Sequence, residues 1–229
     1  AMSFFIPFIP FYVRVLGVSE LHDIERWSGI LFSAPFLVSS FVTPIWGTLG
    51  DRYGRKIMVI RAIFGLSIST VLMGFAHNVH QLFILRILQG GVSGFVSAAL
   101  ALMATSAPRD KMGYALGVLQ TSQTGGILVG PLIGGLMADH MGYRYIFYAT
   151  GSITFIAGLI ATIMVKETFV RDVNKKKHSL LANYRYVISS PGLLMIFFTL
   201  LMRQFAVMII EPIISLYVEA LKKSADYLA

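Results

Sequence analysis

The sequence predicts an all-α membrane protein, a bundle of spanning helices, on three observations. Of 229 residues, 56% are hydrophobic and 13% charged, with a mean hydropathy of +0.73, a composition suited to lipid rather than water. Apolar runs recur that reach the roughly 20 residues needed to cross about 30 Å of hydrocarbon. The connections between them alternate between strongly basic and nearly neutral, as expected when successive loops lie on opposite sides of a membrane.

Seven runs are long enough to span or nearly so. The first, Ser3 to Leu16, is short. Trp27 to Leu49, Ile57 to Ala76, Gln81 to Ser106, Tyr114 to Ala138 and Tyr145 to Val165 follow, and the last, Leu193 to Val218, carries Arg203 and Glu211 inside it. The basic connections hold Arg52, Arg55, Lys56 and Arg61, then Arg109 and Lys111, then Lys166, Arg171, Lys175, Lys176, Lys177 and Arg185. The alternate connections carry only Arg26 and Arg144, beside Glu20, Asp23, Glu25 and Asp139. The positive-inside rule puts the basic loops in the cytoplasm and starts the first helix there.

This reading absorbs the formal net charge of +8. A soluble chain so basic would suggest a nucleic-acid partner, but here the cations are confined to one set of loops, so no nucleic acid is expected. The lysine run Lys175 to Lys177 is read as a solvated loop. The absence of cysteine removes disulfides and thiolate chemistry. No phosphate loop, no metal-ligand spacing and no nucleophile–base constellation stands out, so neither a cofactor, a metal nor an enzyme is expected. The start, Ala1 to Phe11, lacks a basic region and a cleavage site and reads as a helix already under way.

One internal repeat sets the architecture. Pro7 to Leu16 aligns with Pro212 to Leu221, matching at Pro7/Pro212, Ile9/Ile214, Tyr12/Tyr217, Val13/Val218 and Leu16/Leu221. The seventh helix then begins a second copy of the first, entering from the same side. The organisation expected is a six-helix bundle over 1–165, a basic cytoplasmic loop over 166–190, and over 191–229 the first helix of a second half. That half should continue, so the chain is expected to be incomplete at both ends.

Three motifs carry chemistry. Between the second and third runs lies Gly47-Thr-Leu49-Gly-Asp51-Arg52-Tyr-Gly54-Arg55-Lys56. Gly47 permits close helix approach and Gly54 the positive φ of a tight reversal. Asp51 can cap a helix or pair with a cation, and Arg52, Arg55 and Lys56 suit the inner membrane face. The fourth run contains Arg86-Ile-Leu-Gln89-Gly90, whose cation should face the bundle interior or a wet cavity and find an acceptor. The fifth contains Gly126, Gly130 and Gly134 four residues apart on one face, with Pro131 and Gly135 beside them, a groove for close packing and a place to bend.

The first motif resembles the signature loop of the major facilitator superfamily at every fixed position. The second resembles the family's R-x-x-Q-G motif, and the third the G-x-x-x-G-P-x-x-G-G motif of its exporting, antiporter branch. The resemblance covers the chain from the first helix to the seventh and is nearest to the bacterial twelve-helix drug/proton antiporters. It implies proton-driven export of small, lipophilic or cationic molecules by alternating access across the bacterial inner membrane, with a signature loop that latches the two halves together. It also implies proton coupling through Arg86.

Glu211 and Arg203 join Arg86 as proton-coupling candidates, since a buried carboxyl has its pKa raised towards neutrality. Gln120, Gln123 and Thr124, polar groups of the fifth run near mid-membrane, are candidate substrate contacts, with bonding to neighbouring helices as their other reading. Two alternatives stay open: a carrier for a defined metabolite such as a sugar, siderophore or amino acid, and a truncated remnant that does not transport.

Overall fold

A computed structural model of the chain describes residues 2–165, 189–208 and 217. The chain divides into two compact units, Ala1–Phe169 and Val170–Ala229.

The first unit opens with two 3₁₀ turns, Met2–Phe4 and Ile6–Phe8, before helix α1, Ile9–Val15. The run Ser3 to Leu16, expected as one helix, is thus divided. Pro7 and Pro10 each lack a backbone N–H and sit at the first positions of the turn and of α1, where proline is tolerated and a continuous helix is not. Helix α2 covers Leu21–Tyr53 and α3 covers Arg55–Gly74, with Gly54 between them at φ +104°.

The expected fourth helix is two. Helix α4, Val79–Gly91, and α5, Phe95–Ser106, are separated at Val92 to Gly94, where Gly94 takes φ +100°. Asn78 caps α4 by accepting from Gln81 N–H (2.8 Å), while the Gln81 side chain accepts from the N–H of His77, the residue before the cap (2.8 Å). Helix α6, Met112–Met141, runs unbroken through Pro131, and α7 covers Tyr143–Met164.

The core gathers one face from each of five helices, with Phe5, Tyr12, Ile24, Leu31, Met73, Leu82, Ile146 and Phe147 all buried. Phe5 and Tyr12 pack on the Phe147 ring with centroids 5.0 and 4.7 Å away, a geometry that adds about 0.5–1.5 kcal/mol per pair to area burial. Without a hydrophobic driving force between helices in lipid, close approach at small residues matters more. Helix α7 accordingly seats Gly151 on Val71 and the Ser67 backbone, and Gly158 on Ile63 and Phe64. The Ser67 hydroxyl donates to Gly151 C=O at 2.8 Å.

The last carbonyls of α3, which have no intrahelical partner, are taken by side chains. Tyr12 Oη donates to Met73 C=O (2.9 Å), and Tyr148 Oη (2.9 Å) and Arg144 Nη1 (3.1 Å) both donate to Gly74 C=O. The Arg144 cation also complements the negative end of the helix.

Among the described residues four helical stretches are long and apolar enough to cross a membrane: Leu21–Tyr53, Arg55–Gly74, Val79–Ser106 and Tyr143–Met164. The chain is an integral membrane protein. The first and last expected spans are shorter apolar helices, Ile6–Val15 and Pro191–Ala206. Helix α6 has the length, but the polar run Gln120 to Thr124 dilutes it.

In the second unit α8 covers Pro191–Met208, and Arg203 lies exposed on it. Glu211, the repeat Pro212 to Leu221 apart from the helical Tyr217, and the basic connection from Lys166 as far as 188 lie outside the described residues.

Candidate functional site

The most constrained polar group in the first unit is Arg86, on α4 and 2% exposed. Its acceptor is prepared by the sequence of another helix. Pro35 interrupts the hydrogen-bond ladder of α2, so the carbonyl four residues earlier, that of Leu31, lacks its backbone donor. Arg86 Nε donates to that carbonyl at 2.8 Å. Its Nη1 donates to Gln89 Oε1 at 2.8 Å, and Gln89 Nε2 in turn donates to Thr70 Oγ1 on α3 at 3.3 Å. Gln89 and Thr70 are buried as well.

Gly90 completes the arrangement. A Cβ there would lie 2.5 Å from Pro35 O and 2.8 Å from Pro35 Cα, so only glycine lets α4 approach α2 closely enough for Arg86 to reach Leu31. The three fixed residues of the second motif thus do three physical jobs: Arg86 fills the proline gap, Gln89 orients the guanidinium, and Gly90 permits the contact. The face of Phe5 lies 5.5 Å from the guanidinium carbon, and Arg86 Nη2 is buried with no hydrogen-bond partner among the described residues. No carboxylate among them forms an ion pair with it. A guanidinium desolvated by several kcal/mol is thus held by neutral groups alone among these residues.

The signature segment makes the α2–α3 reversal. Gly54 N–H donates to Gly50 C=O (3.0 Å) and its φ of +104° turns the chain, a conformation that disfavours any side chain. Asp51 pairs with Arg55 at 3.1 Å rather than capping α3, whose N-cap is Gly54 without a side-chain bond. Arg55 Nη1 also donates to Ala101 C=O on α5 (2.5 Å), tying the hairpin to the far side of the helix break. Arg52 is exposed and lies over the Tyr53 ring, 5.3 Å away. Leu49 and Lys56 are half-buried.

Among the described residues the close contact of this segment falls at Gly50, against Met58 at 3.3 Å across the reversal, while Gly47 is exposed and a Cβ on it would meet none of them within 4 Å. The Asp51–Arg55 pair is largely exposed on the carboxylate side, so Asp51→Asn should lower stability by no more than about 1 kcal/mol. Removing Arg55, which also loses the Ala101 bond, should cost more; melting of the two variants side by side checks the order.

The glycine face of α6 receives the start of the chain. Gly130 lies against Ser3, so that a Cβ added to it would come within 2.8 Å of the Ser3 Cβ, and Gly134 lies against the Phe4 carbonyl and the Phe8 ring. Gly135 borders Phe8 more loosely, at 3.6 Å. Gly126, on the same face by spacing, lies one turn from the Ser3 to Phe8 segment, and a Cβ on it would meet none of the described residues within 4 Å. Gln120 and Thr124 are exposed, and the Thr124 hydroxyl donates to Gln120 C=O within the helix at 3.1 Å. Gln123 is half-buried with its Nε2 unpartnered among the described residues. A groove of about 380 Å³ lies on the preceding turns of α6, at Tyr114, Gly117, Val118, Thr121 and Ser122, and does not include the three polar candidates.

Sequence reasoning missed the Pro35 carbonyl gap, and it missed that Trp46 of α2 and Arg61 of α3 stack on one another, the guanidinium carbon 3.5 Å from the ring centre. The one signal for the first was a proline within an apolar run.

A bundle of spanning helices pinned by a buried arginine and a glycine-turned basic hairpin defines a membrane carrier scaffold, and the chain belongs to the Major Facilitator Superfamily, whose family model matches residues 1–229. The chain is similar to multidrug resistance proteins of other bacteria. It is 44% identical over 233 residues to multidrug resistance protein MdtG of Rahnella sp. (strain Y9602), covering 100% of this chain and 56% of that protein. It is likewise 44% identical to MdtG of Salmonella paratyphi A and 43% identical to that of Salmonella arizonae, in each case over 100% of this chain and 57% of the relative. The chain thus spans little more than half the length of the curated relatives it matches.

Proposed function

We propose that the protein to which this chain contributes is a proton-coupled exporter of small lipophilic or cationic molecules, working by alternating access in the bacterial cytoplasmic membrane. The observation that carries the reading is Arg86, a buried cation with its Nη2 unpartnered and no ion-paired carboxylate among the described residues, in a chain akin throughout to multidrug resistance proteins. Such a charge is costly in lipid and is retained where a cycle uses it. Glu211 is the acid of the seventh run whose protonation would alternate, with Arg203 holding it ionised in one stage. An inward proton current adds about 2.3 kcal/mol per charge per 100 mV of membrane potential, enough for uphill export.

The basic loops, including the signature segment, would face the cytoplasm, and further helices would supply the second wall of the substrate path. Gln120, Gln123 and Thr124 remain the polar candidates for that path. The experiment is efflux of a fluorescent cationic dye from cells expressing the complete protein, with and without a protonophore, beside Glu211→Gln. Export that collapses with the protonophore and with Glu211→Gln at equal expression is the expected result. Export indifferent to both would overturn proton coupling, and no dye movement from well-expressed protein would overturn the substrate class in favour of a defined metabolite.

A further inference from the structure

The joint between α4 and α5 interrupts a 28-residue apolar stretch, Val79–Ser106, and its exposed backbone groups have been answered by two neighbouring helices. Trp46 Nε1, from α2, donates to Gly91 C=O at 2.9 Å. Arg61 Nη2, from α3, donates to Ser93 C=O at 2.9 Å. The two side chains also bind each other, with the Arg61 guanidinium carbon 3.5 Å from the centre of the Trp46 ring, well inside cation–π range. Ser93 Oγ takes the Gly90 carbonyl at 2.6 Å, and Gly94 supplies the left-handed turn that Val92 and Ser93 do not make.

An irregular backbone at membrane depth survives only where protein satisfies its polar groups, since each free group costs several kcal/mol in hydrocarbon. A straight helix would satisfy the same carbonyls with its own N–H groups and leave Trp46 and Arg61 without acceptors. The joint therefore has two self-consistent forms, and the stacked pair favours the broken one. We propose that Trp46 and Arg61 are positioning residues, a clamp that holds the Val92 to Gly94 joint open so that α5 follows the α2–α3 hairpin instead of continuing α4. Arg61 and Arg55, both from α3, then hold the chain at Ser93, just before α5 begins, and at Ala101 in its middle. This assignment does not depend on which substrate or ion is moved.

The chain contains no cysteine, so paired spin labels can be introduced directly. Ile84→Cys on α4 with Ala104→Cys on α5, both exposed, reports the joint; Ile57→Cys with Ile153→Cys, also exposed, reports the α3–α7 packing that the clamp does not touch. In this chain reconstituted into lipid nanodiscs, the α4–α5 pair should give one narrow distance. Trp46→Ala and Arg61→Ala should each widen that distribution about twofold or add a longer component, as a two-state element released from one side does, with the α3–α7 distance unchanged. Trp46→Phe keeps a ring for the guanidinium and loses the indole donor, and should fall between. An α4–α5 distribution identical to that of the unsubstituted chain in both alanine variants overturns the proposal. Equal broadening of both label pairs also overturns it, because the two residues would then be ordinary packing.

Discussion

In the complete protein, Arg86→Met should cut the proposed export at least about tenfold while leaving the bundle folded. The two consequences separate because the energetic terms at this site oppose one another. Methionine forfeits the bonds to Leu31 C=O and Gln89 Oε1, each worth about 1.5–3 kcal/mol when the donor is charged. It also removes a buried guanidinium with no ion-pair partner among the described residues, whose desolvation costs several kcal/mol. The sum should stay within about 1–2 kcal/mol, a melting shift of about 2–8 °C for a unit of this size. The proposed export, by contrast, should fall at least about tenfold, the equivalent of 1.4 kcal/mol on the barrier, since the charge that the proposed cycle uses is gone. Arg86→Lys should recover only part of it, because an ammonium can reach the Leu31 carbonyl but does not present a planar fork to two acceptors at once. Dye efflux and thermal melting on the same preparations test this. A collapse of melting together with activity would assign Arg86 to structure alone.

Gly134→Ala should be the most damaging of the α6 glycine substitutions. The added methyl would press on the Phe4 carbonyl and lie 2.9 Å from the Phe8 ring; the ring can turn aside, but the carbonyl belongs to a 3₁₀ turn fixed by Phe5, which is itself buried against Phe147. Overpacking against backbone costs about 1–3 kcal/mol, and a melting temperature lower by about 2–12 °C is expected. Gly126→Ala on the same helix is the internal reference. With none of the described residues within 4 Å of its added Cβ, it should be neutral or slightly stabilising, because alanine is the better helix former by about 1 kcal/mol. If the two variants melted alike, the segment Ser3 to Phe8 would not be seated on the glycine face in the membrane.

The fold class was legible because lipid imposes a length and a charge rule that single residues obey one by one. The α2–α3 reversal was equally plain: Gly54 needs only its local backbone to turn, and Asp51 and Arg55 are four residues apart. That Arg86 turns inward also followed from the cost of exposing it to lipid. Its acceptor did not, since the Leu31 carbonyl is 55 residues away and is freed only through Pro35 on a different helix. The break at Val92 to Gly94 was hidden for a similar reason. The run Gly90-Gly91 followed by Gly94 permits a joint, but the decision rests with Trp46 and Arg61, 45 and 32 residues from the carbonyls they bind. For the third motif, small residues advertised a close contact without saying which of them the Ser3 to Phe8 segment would use, and among the described residues none lies against Gly126.

The way the end of α3 is finished has a bearing on how the chain is made. Tyr12, already synthesised, waits for Met73 across 61 residues, but the donors for Gly74 arrive 70 and 74 residues later, with Arg144 and Tyr148. At about 5–20 residues per second, that leaves the helix terminus incomplete for about 4–14 s while α4, α5 and α6 are threaded into the bilayer. The first three helices can therefore be inserted early yet cannot settle until the sixth expected span follows them. A nascent chain halted short of Arg144 would remain a set of lipid-borne helices whose principal seam, between α3 and α7, has only one side.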